Sequence, residues 1–245
     1  MVYIERGEKT LAEKNIEELF NEYPPSIVLP NGNIIVGRNK IIPNRSIEDL
    51  PVDIWKVKDW NNCNIRNESY EEISSDNKLV INHVIDLLCP HFTQDEDLII
   101  LDDGAHEIAD LIYFESSTST IHFIHCKYSS KNCAGCRKID CDELFVQAMR
   151  SIHWFSSPEL IDRIKYRISK NQNSKILYGS QDILEKISQN YKVNNWKFNI
   201  ILAQPGFKID QVSNKKRKNN NVYKLTIPMF EKIIGSNGYI EIWGS

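Results

Sequence analysis

The chain has 245 residues, which at about 150 residues per domain is one large domain or a domain with an accessory lobe. Lys plus Arg total 30 against 33 for Asp plus Glu, a net charge of −3, with 41% hydrophobic and 26% charged residues. That balance excludes a disordered polyampholyte and a constitutive, tight coat for nucleic acid, but leaves room for a local basic groove. No apolar run approaches the roughly 18 residues of a membrane span, and the opening MVYIERGEKT has no apolar signal-like core, so a cytoplasmic protein with no membrane contact is expected.

Leu11 to Tyr23 reads as a helix, with Leu11, Ile16, Leu19 and Phe20 on one side. SIVLPNGNIIVG then holds two apolar runs around Asn31-Gly32, a hairpin signal. Pro43 to Glu72 carries turn chemistry, Trp55, Trp60, Asp53 and Asp59, and reads as an irregular lead-in packed on a core. Lys78 to Cys89 is a helix that Pro90 ends. Asp97–Leu101, Ala109–Glu115 and Thr120–Lys127 are strands, the last two a hairpin around the polar run SSTST. Helices follow at Asp142–Phe155 and Pro158–Ile168, a short strand at Lys175–Tyr178, and a helix at Gln181–Tyr191. Lys197–Ala203 is a strand stopped by Pro205-Gly206. Asn214–Asn221 is a polar basic loop, Thr226–Ile234 a last helix and Tyr239–Trp243 a last strand. The order is α/β, with an antiparallel hairpin inside a mixed sheet flanked by helices.

Charge is distributed unevenly. From Leu79 to Cys126 there is no Lys or Arg but nine acids: Asp86, Asp95, Glu96, Asp97, Asp102, Asp103, Glu107, Asp110 and Glu115. From Lys127 to Lys175 ten basic residues face five acids. Carboxylates at the end of a buried strand repel one another unless a cation neutralises them, and clustered oxygen ligands suit Mg2+. Taken singly, Asp102 and Asp103 read as turn residues. Cys133, Cys136 and Cys141 form C-x-x-C-x4-C, half of a zinc motif whose fourth ligand would be Cys126 or His125; otherwise they are three cysteines around a turn containing Gly135.

On the expected elements, Glu107 and Asp110 lie at the entrance to the second strand. His125 and Lys127 lie two apart near the end of the third, on one face, with Cys126 pointing the other way. In a hairpin the start of one strand lies beside the end of the other, so Asp110 is expected next to His125 and Lys127. This arrangement resembles the PD-(D/E)XK nuclease superfamily: Asp110 matches its Asp, and His125-Cys126-Lys127 its (D/E)-x-K, with His125 in the acidic position. More closely, the chain resembles nuclease-like domains found with superfamily-2 helicases in bacterial DNA defence. The segments that carry this are DW at 59–60, ES at 68–69, DDGAHEIADLI at 102–112, HCKYS at 125–129, QAMRS at 147–151, QPG at 204–206 and the terminal GS.

The resemblance implies a restriction-endonuclease-like core, α-β-β-β-α-β, in residues 71–245, preceded by an N-terminal helix, hairpin and lead-in in residues 1–70. It implies metal-dependent hydrolysis of DNA in an anti-phage or restriction-like system, with a separate helicase or ATPase partner and oligomers possible. Mg2+ or Mn2+ would be held by Asp110, Glu107, His125 and the Cys126 main chain, with Mn2+ preferred because one ligand is nitrogen. Lys127 would orient or deprotonate the attacking water, or stabilise developing charge. Gln147 would support the site from the following helix, and Lys131, Arg137 and Arg150 would contact phosphates, with the Lys215–Lys218 run a weaker candidate. The missing acid at position 125 also admits another class, a nuclease-fold module that binds nucleic acid or a partner without cutting.

Overall fold

The computed structural model describes residues 2–6, 9–15, 17, 26–28, 34–36, 39–41, 49–72, 78–102, 104, 107–155, 157–170, 174–191, 196–216 and 220–245. The chain divides into two compact units, Met1–Glu48 and Asp49–Ser245. Residues 49–70, expected in the N-terminal extension, thus fall within the second unit.

In the first unit, strands β1 (Val2–Arg6) and β2 (Lys9–Lys14) form an antiparallel pair. The helix expected from Leu11 therefore does not begin there; the rest of that stretch lies mostly outside the described residues. Its reading rested on four spaced apolar residues. The β-branched and aromatic run Val2-Tyr3-Ile4 instead gives the neighbouring segment a partner strand. The expected hairpin is present, with β3 (Ser26–Val28) paired antiparallel to β4 (Ile34–Val36) and β4 to β5 (Asn39–Ile41). Its Asn31-Gly32 turn lies outside the described residues.

The second unit is an α/β protein whose described residues form a seven-stranded mixed sheet flanked by six helices. Its strands are β6 (Trp55–Val57), β9 (Leu98–Asp102), β10 (Leu111–Glu115), β11 (Thr120–Cys126), β12 (Ser174–Tyr178), β13 (Lys197–Ala203) and β14 (Gly238–Gly244), in the order β12-β9-β10-β11-β13-β14-β6, while β7 (Cys63–Asn64) and β8 (Lys78–Leu79) form a separate parallel pair. From β12 to β11 neighbours run antiparallel; from β11 to β6 they run parallel. Trp55–Val57, expected as irregular lead-in, is a parallel edge strand beside β14. Three residues are too few to show alternation, and their partner lies at the far end of the chain.

The helices are α1 (Val80–Leu88), α2 (Asp142–Ser151), α3 (Leu160–Lys170), α4 (Gln181–Asn190), α5 (Ile209–Val212) and α6 (Asn221–Gly235). Helix α1 buries Val80, Ile81, Val84, Ile85 and Leu88 against one face of the sheet, where Ile99, Leu101, Leu111, Tyr113, Ile124, Cys126, Ile201 and Trp243 form a cluster with Trp60. Leu88 and Cys89 pass into a short 3-10 turn at Cys89–His91, where Pro90 ends the helix. Helix α2 packs on β11 and α6, and beyond it Phe155 stacks on Phe123 and Phe198, with centroids 5.9 and 5.1 Å away. The helix expected to reach Phe155 ends at Ser151 and continues as a 3-10 turn, Ile152–Trp154. Burying a side chain of Leu or Phe size contributes about 1.5–3 kcal/mol, so the two apolar faces are what hold α1 and α2 in place.

The end of the sheet where β11, β13 and β14 finish is clasped by polar contacts. Gln204 is fully buried; its side-chain amide donates to the Asp140 carbonyl at 2.7 Å and its oxygen accepts from the Gly206 N–H at 2.8 Å. The Ser245 N–H donates to the Phe207 carbonyl at 2.7 Å and its hydroxyl to the Pro205 carbonyl at 3.0 Å. The segments QPG and GS thus tie the parallel strand ends together beside the residues that follow β11. No helix among the described residues is long and apolar enough to cross a membrane.

Candidate active site

Strands β10 and β11 pair with Leu111 opposite Ile124, so the next residues out, Asp110 and His125, are neighbours across the hairpin. The Asp110 carboxylate accepts the Cys126 N–H at 2.8 Å, and the same oxygen lies 3.9 Å from His125 Nδ1. The imidazole is 1% exposed, and Nδ1 has no hydrogen-bond partner. On its other side, Nε2 lies 2.7 Å from the Ser151 hydroxyl at the end of α2. Burial in an apolar setting pushes the His125 pKa down to about 3, so the ring is neutral at pH 7.

Lys127 follows at the same strand end, and its ammonium is held between two carboxylates. Glu68 Oε1 is 3.0 Å away and Glu143 Oε2, from the first turn of α2, is 2.8 Å away. Burial alone would lower the Lys127 pKa, but the hydrogen bonds to Glu143 and Glu68 outweigh it and the net shift is upward. The residue is therefore a fixed cation, suited to orienting water or stabilising negative charge and unsuited to taking a proton at neutral pH. The second Glu68 oxygen accepts the Tyr128 N–H at 3.1 Å, which aligns the carboxylate with the strand end.

A cleft of about 1010 Å³ opens between this strand end and α2–α3, lined by Glu107, His125, Glu143, Gln147, Arg150 and Arg163 among others. Gln147 Nε2 donates to Glu107 Oε1 at 3.3 Å, and the other Glu107 oxygen accepts the Gly104 N–H at 3.3 Å. Of the expected site residues, Glu107, His125, Gln147 and Arg150 thus share one cleft. Asp110 touches His125, and Lys127 is bound to a residue of the cleft wall.

The remaining expected residues lie elsewhere. The Cys126 thiol points to the α1 face, where burial raises its pKa strongly; the contact its main chain makes here is the N–H bond to Asp110. Lys131 is exposed on the following turn, with its carbonyl accepting the Ser129 hydroxyl at 2.6 Å. Arg137 is turned inward: Nε donates to Asp140 at 2.7 Å, and Nη2 donates to Ser129 Oγ at 3.0 Å and to the Gly206 carbonyl at 3.3 Å. These bonds tie Nε and Nη2 to the local acid Asp140 and to the QPG turn. Asp102 is buried, bound to Arg167 and to Ser174 at 2.8 Å. Asp103, His106, Arg217 and Lys218 lie outside the described residues.

The half zinc motif is not assembled around a common point. The Cys141 thiol donates to the Lys138 carbonyl at 2.9 Å, the Cys136 thiol donates to Asn220 at 3.2 Å, and Cys133 is exposed. Among the described residues, no three His, Cys, Asp or Glu side chains stand together as a metal cage. A hydrated Mg2+ or Mn2+ does not need one, since such ions keep several waters and use one or two protein carboxylates. The buried, partnerless Nδ1 beside the Asp110 carboxylate fits a cation with one nitrogen and one oxygen ligand.

Sequence reasoning passed over three of the residues that complete this geometry: Glu68, Glu143 and Ser151. Glu68 stood in the ES segment and Ser151 in QAMRS, so both carried a signal. Glu143 is one of two acids in a first helical turn, a common dipole-favoured position that carries no chemical signal alone. Comparison of the chain with family models, with curated proteins and with solved structures finds no match.

Proposed function

We propose that this chain is a divalent-metal-dependent nuclease acting on DNA, built on a restriction-endonuclease-like core. The observation that carries the reading is that Asp110 adjoins His125 at one end of the β10–β11 hairpin, where His125 lines a cleft and Lys127, two residues on, is bound to Glu143 of the cleft wall. The element order supports it: α1, β9, β10, β11, α2 and a later strand follow the α-β-β-β-α-β order that the resemblance implies.

Asp110 and His125 Nδ1 would hold Mg2+ or Mn2+, with Glu107, which lines the same cleft as His125, as a further oxygen ligand. When bound, the ion polarises the phosphate and lowers the pKa of a coordinated water. Lys127, kept charged and aimed by Glu68 and Glu143, stabilises the negative charge that develops on the phosphate oxygens. Gln147 holds the Glu107 carboxylate, and Arg150 offers a cation to the DNA backbone from the next turn of α2. Lys131 extends the basic surface. The setting is an anti-phage or restriction-like system, with a separate helicase or ATPase as partner.

One observation favours a second reading. The Lys127 ammonium is already neutralised by two carboxylates, and a site in that state suits a module that binds DNA or a partner without cutting. Digestion of supercoiled plasmid and of single-stranded DNA distinguishes the two. The wild-type chain is expected to cut with Mn2+ faster than with Mg2+, and Asp110→Ala and Lys127→Ala each to lose about a hundredfold or more. Equal cutting by both variants refutes the assignment. DNA binding with neither cutting nor metal dependence supports the second reading.

A further inference from the structure

We propose that Ser151 is a positioning residue: its hydroxyl fixes His125 as the Nε2–H tautomer and so turns the bare Nδ1 lone pair toward Asp110. The inference rests on the reading of this site as a cation site and adds how the ligand is prepared. The Ser151 side chain is buried and its oxygen sits among three groups. The Ile108 carbonyl is 2.7 Å away, the Gln147 carbonyl one helical turn back is 3.2 Å away, and His125 Nε2 is 2.7 Å away.

A hydroxyl has one proton to give, and a carbonyl can only accept. If that proton went to the imidazole, the Ile108 carbonyl would face a second oxygen at 2.7 Å with no hydrogen between them, an unmade bond in a buried place. The proton therefore goes to a carbonyl, and the serine oxygen accepts from His125 Nε2–H. A neutral imidazole has one N–H, so Nδ1 is left with its lone pair, 3.9 Å from Asp110 Oδ2. Lone pair and carboxylate are both electron-rich, and a cation between them would be attracted by both and would give Nδ1 a partner. A hydrogen bond on the far ring nitrogen is how a metal-binding histidine is usually oriented, and loss of such a partner typically costs about 10–100-fold in metal affinity.

Histidine tautomers are read directly by nitrogen NMR of the full chain, metal-free in chelator, with the His125 ring assigned by comparison with His125→Gln. The wild type is expected to show a neutral ring protonated at Nε2. A ring protonated at Nδ1 overturns the proposal. In Ser151→Ala, the N–H is expected to move wholly or partly to Nδ1, toward Asp110, and Mn2+ affinity by calorimetry to fall about 10–100-fold. An unchanged tautomer in a folded Ser151→Ala protein also overturns it. If that variant does not fold, the wild-type spectrum alone decides. None of these readouts uses DNA cleavage, so a chain that cuts nothing would sink the nuclease reading and leave the tautomer question answered.

Discussion

His125 and Lys127, two residues apart on β11, are driven to opposite charge states by their neighbours. The ring is fully buried, with one hydroxyl on Nε2 and the Asp110 carboxylate 3.9 Å from Nδ1, and burial keeps it neutral; the ammonium meets Glu68 and Glu143 and stays charged. The first effect has a consequence for stability. In the folded protein the His125 pKa is about 3, below its ordinary value of 6.5, so between those values the unfolded chain binds a proton that the folded chain refuses. Its contribution is complete above pH 6.5 and is lost progressively as pH falls toward 3. His122, also pushed down by burial, acts with the same sign. Urea unfolding in chelator is therefore expected to show stability falling steeply from pH 6.5 downward, and His125→Gln to flatten part of that slope. A profile unchanged by the substitution would mean that the ring is not buried as described. At Lys127 the test is Glu68→Gln. Loss of that carboxylate frees the ammonium from one partner and is expected to lower cleavage about tenfold to a hundredfold. The folded state, followed by circular dichroism, is expected to remain intact.

At the scale of elements, the site depends on how β9 hands the chain to β10. Asp102 ends β9; one carboxylate oxygen takes Arg167 of α3 and Ser174 of β12, and the other accepts the Ile108 N–H at 2.8 Å. That buried pair fastens the segment carrying Glu107 and Asp110 to the sheet. Arg167→Met would leave the Asp102 charge buried without its partner and is expected to destabilise the protein by about 3–5 kcal/mol, read as a lower denaturant midpoint. A change below about 1 kcal/mol would show that the pair contributes no more than an exposed one. The strands and helices around this junction were legible because each has a period or a stop signal: LIILD as a continuous buried strand, Pro90 ending α1, SSTST turning the hairpin. The structure also places Asp110 and His125 together, as hairpin geometry required. What was not legible came from far along the chain. Trp55–Val57 becomes a strand only because Ile242–Gly244 lies beside it, and Glu68 meets Lys127, which stands 59 positions further along the chain. Arg137 shows the converse, a contact close in sequence: its Nε pairs with Asp140, three residues on in the same turn.

On the scale of the whole molecule, Asp49–Ser245 carries the seven-stranded sheet, both apolar faces and every residue assigned to the site. A chain of residues 49–245 is expected to melt cooperatively by circular dichroism and to keep its Mn2+ binding; a broad, non-cooperative melt would show that the unit needs residues 1–48. The account's central claim is that one cation joins the two strands of the β10–β11 hairpin at this cleft. It is tested most directly by crystals of the wild-type chain grown with MnCl2, through the anomalous signal of the metal. The account predicts a single strong peak within direct coordination distance of both His125 Nδ1 and the Asp110 carboxylate. A well-ordered structure whose Mn2+ lies elsewhere, with Nδ1 and Asp110 facing each other and no metal between, would contradict it.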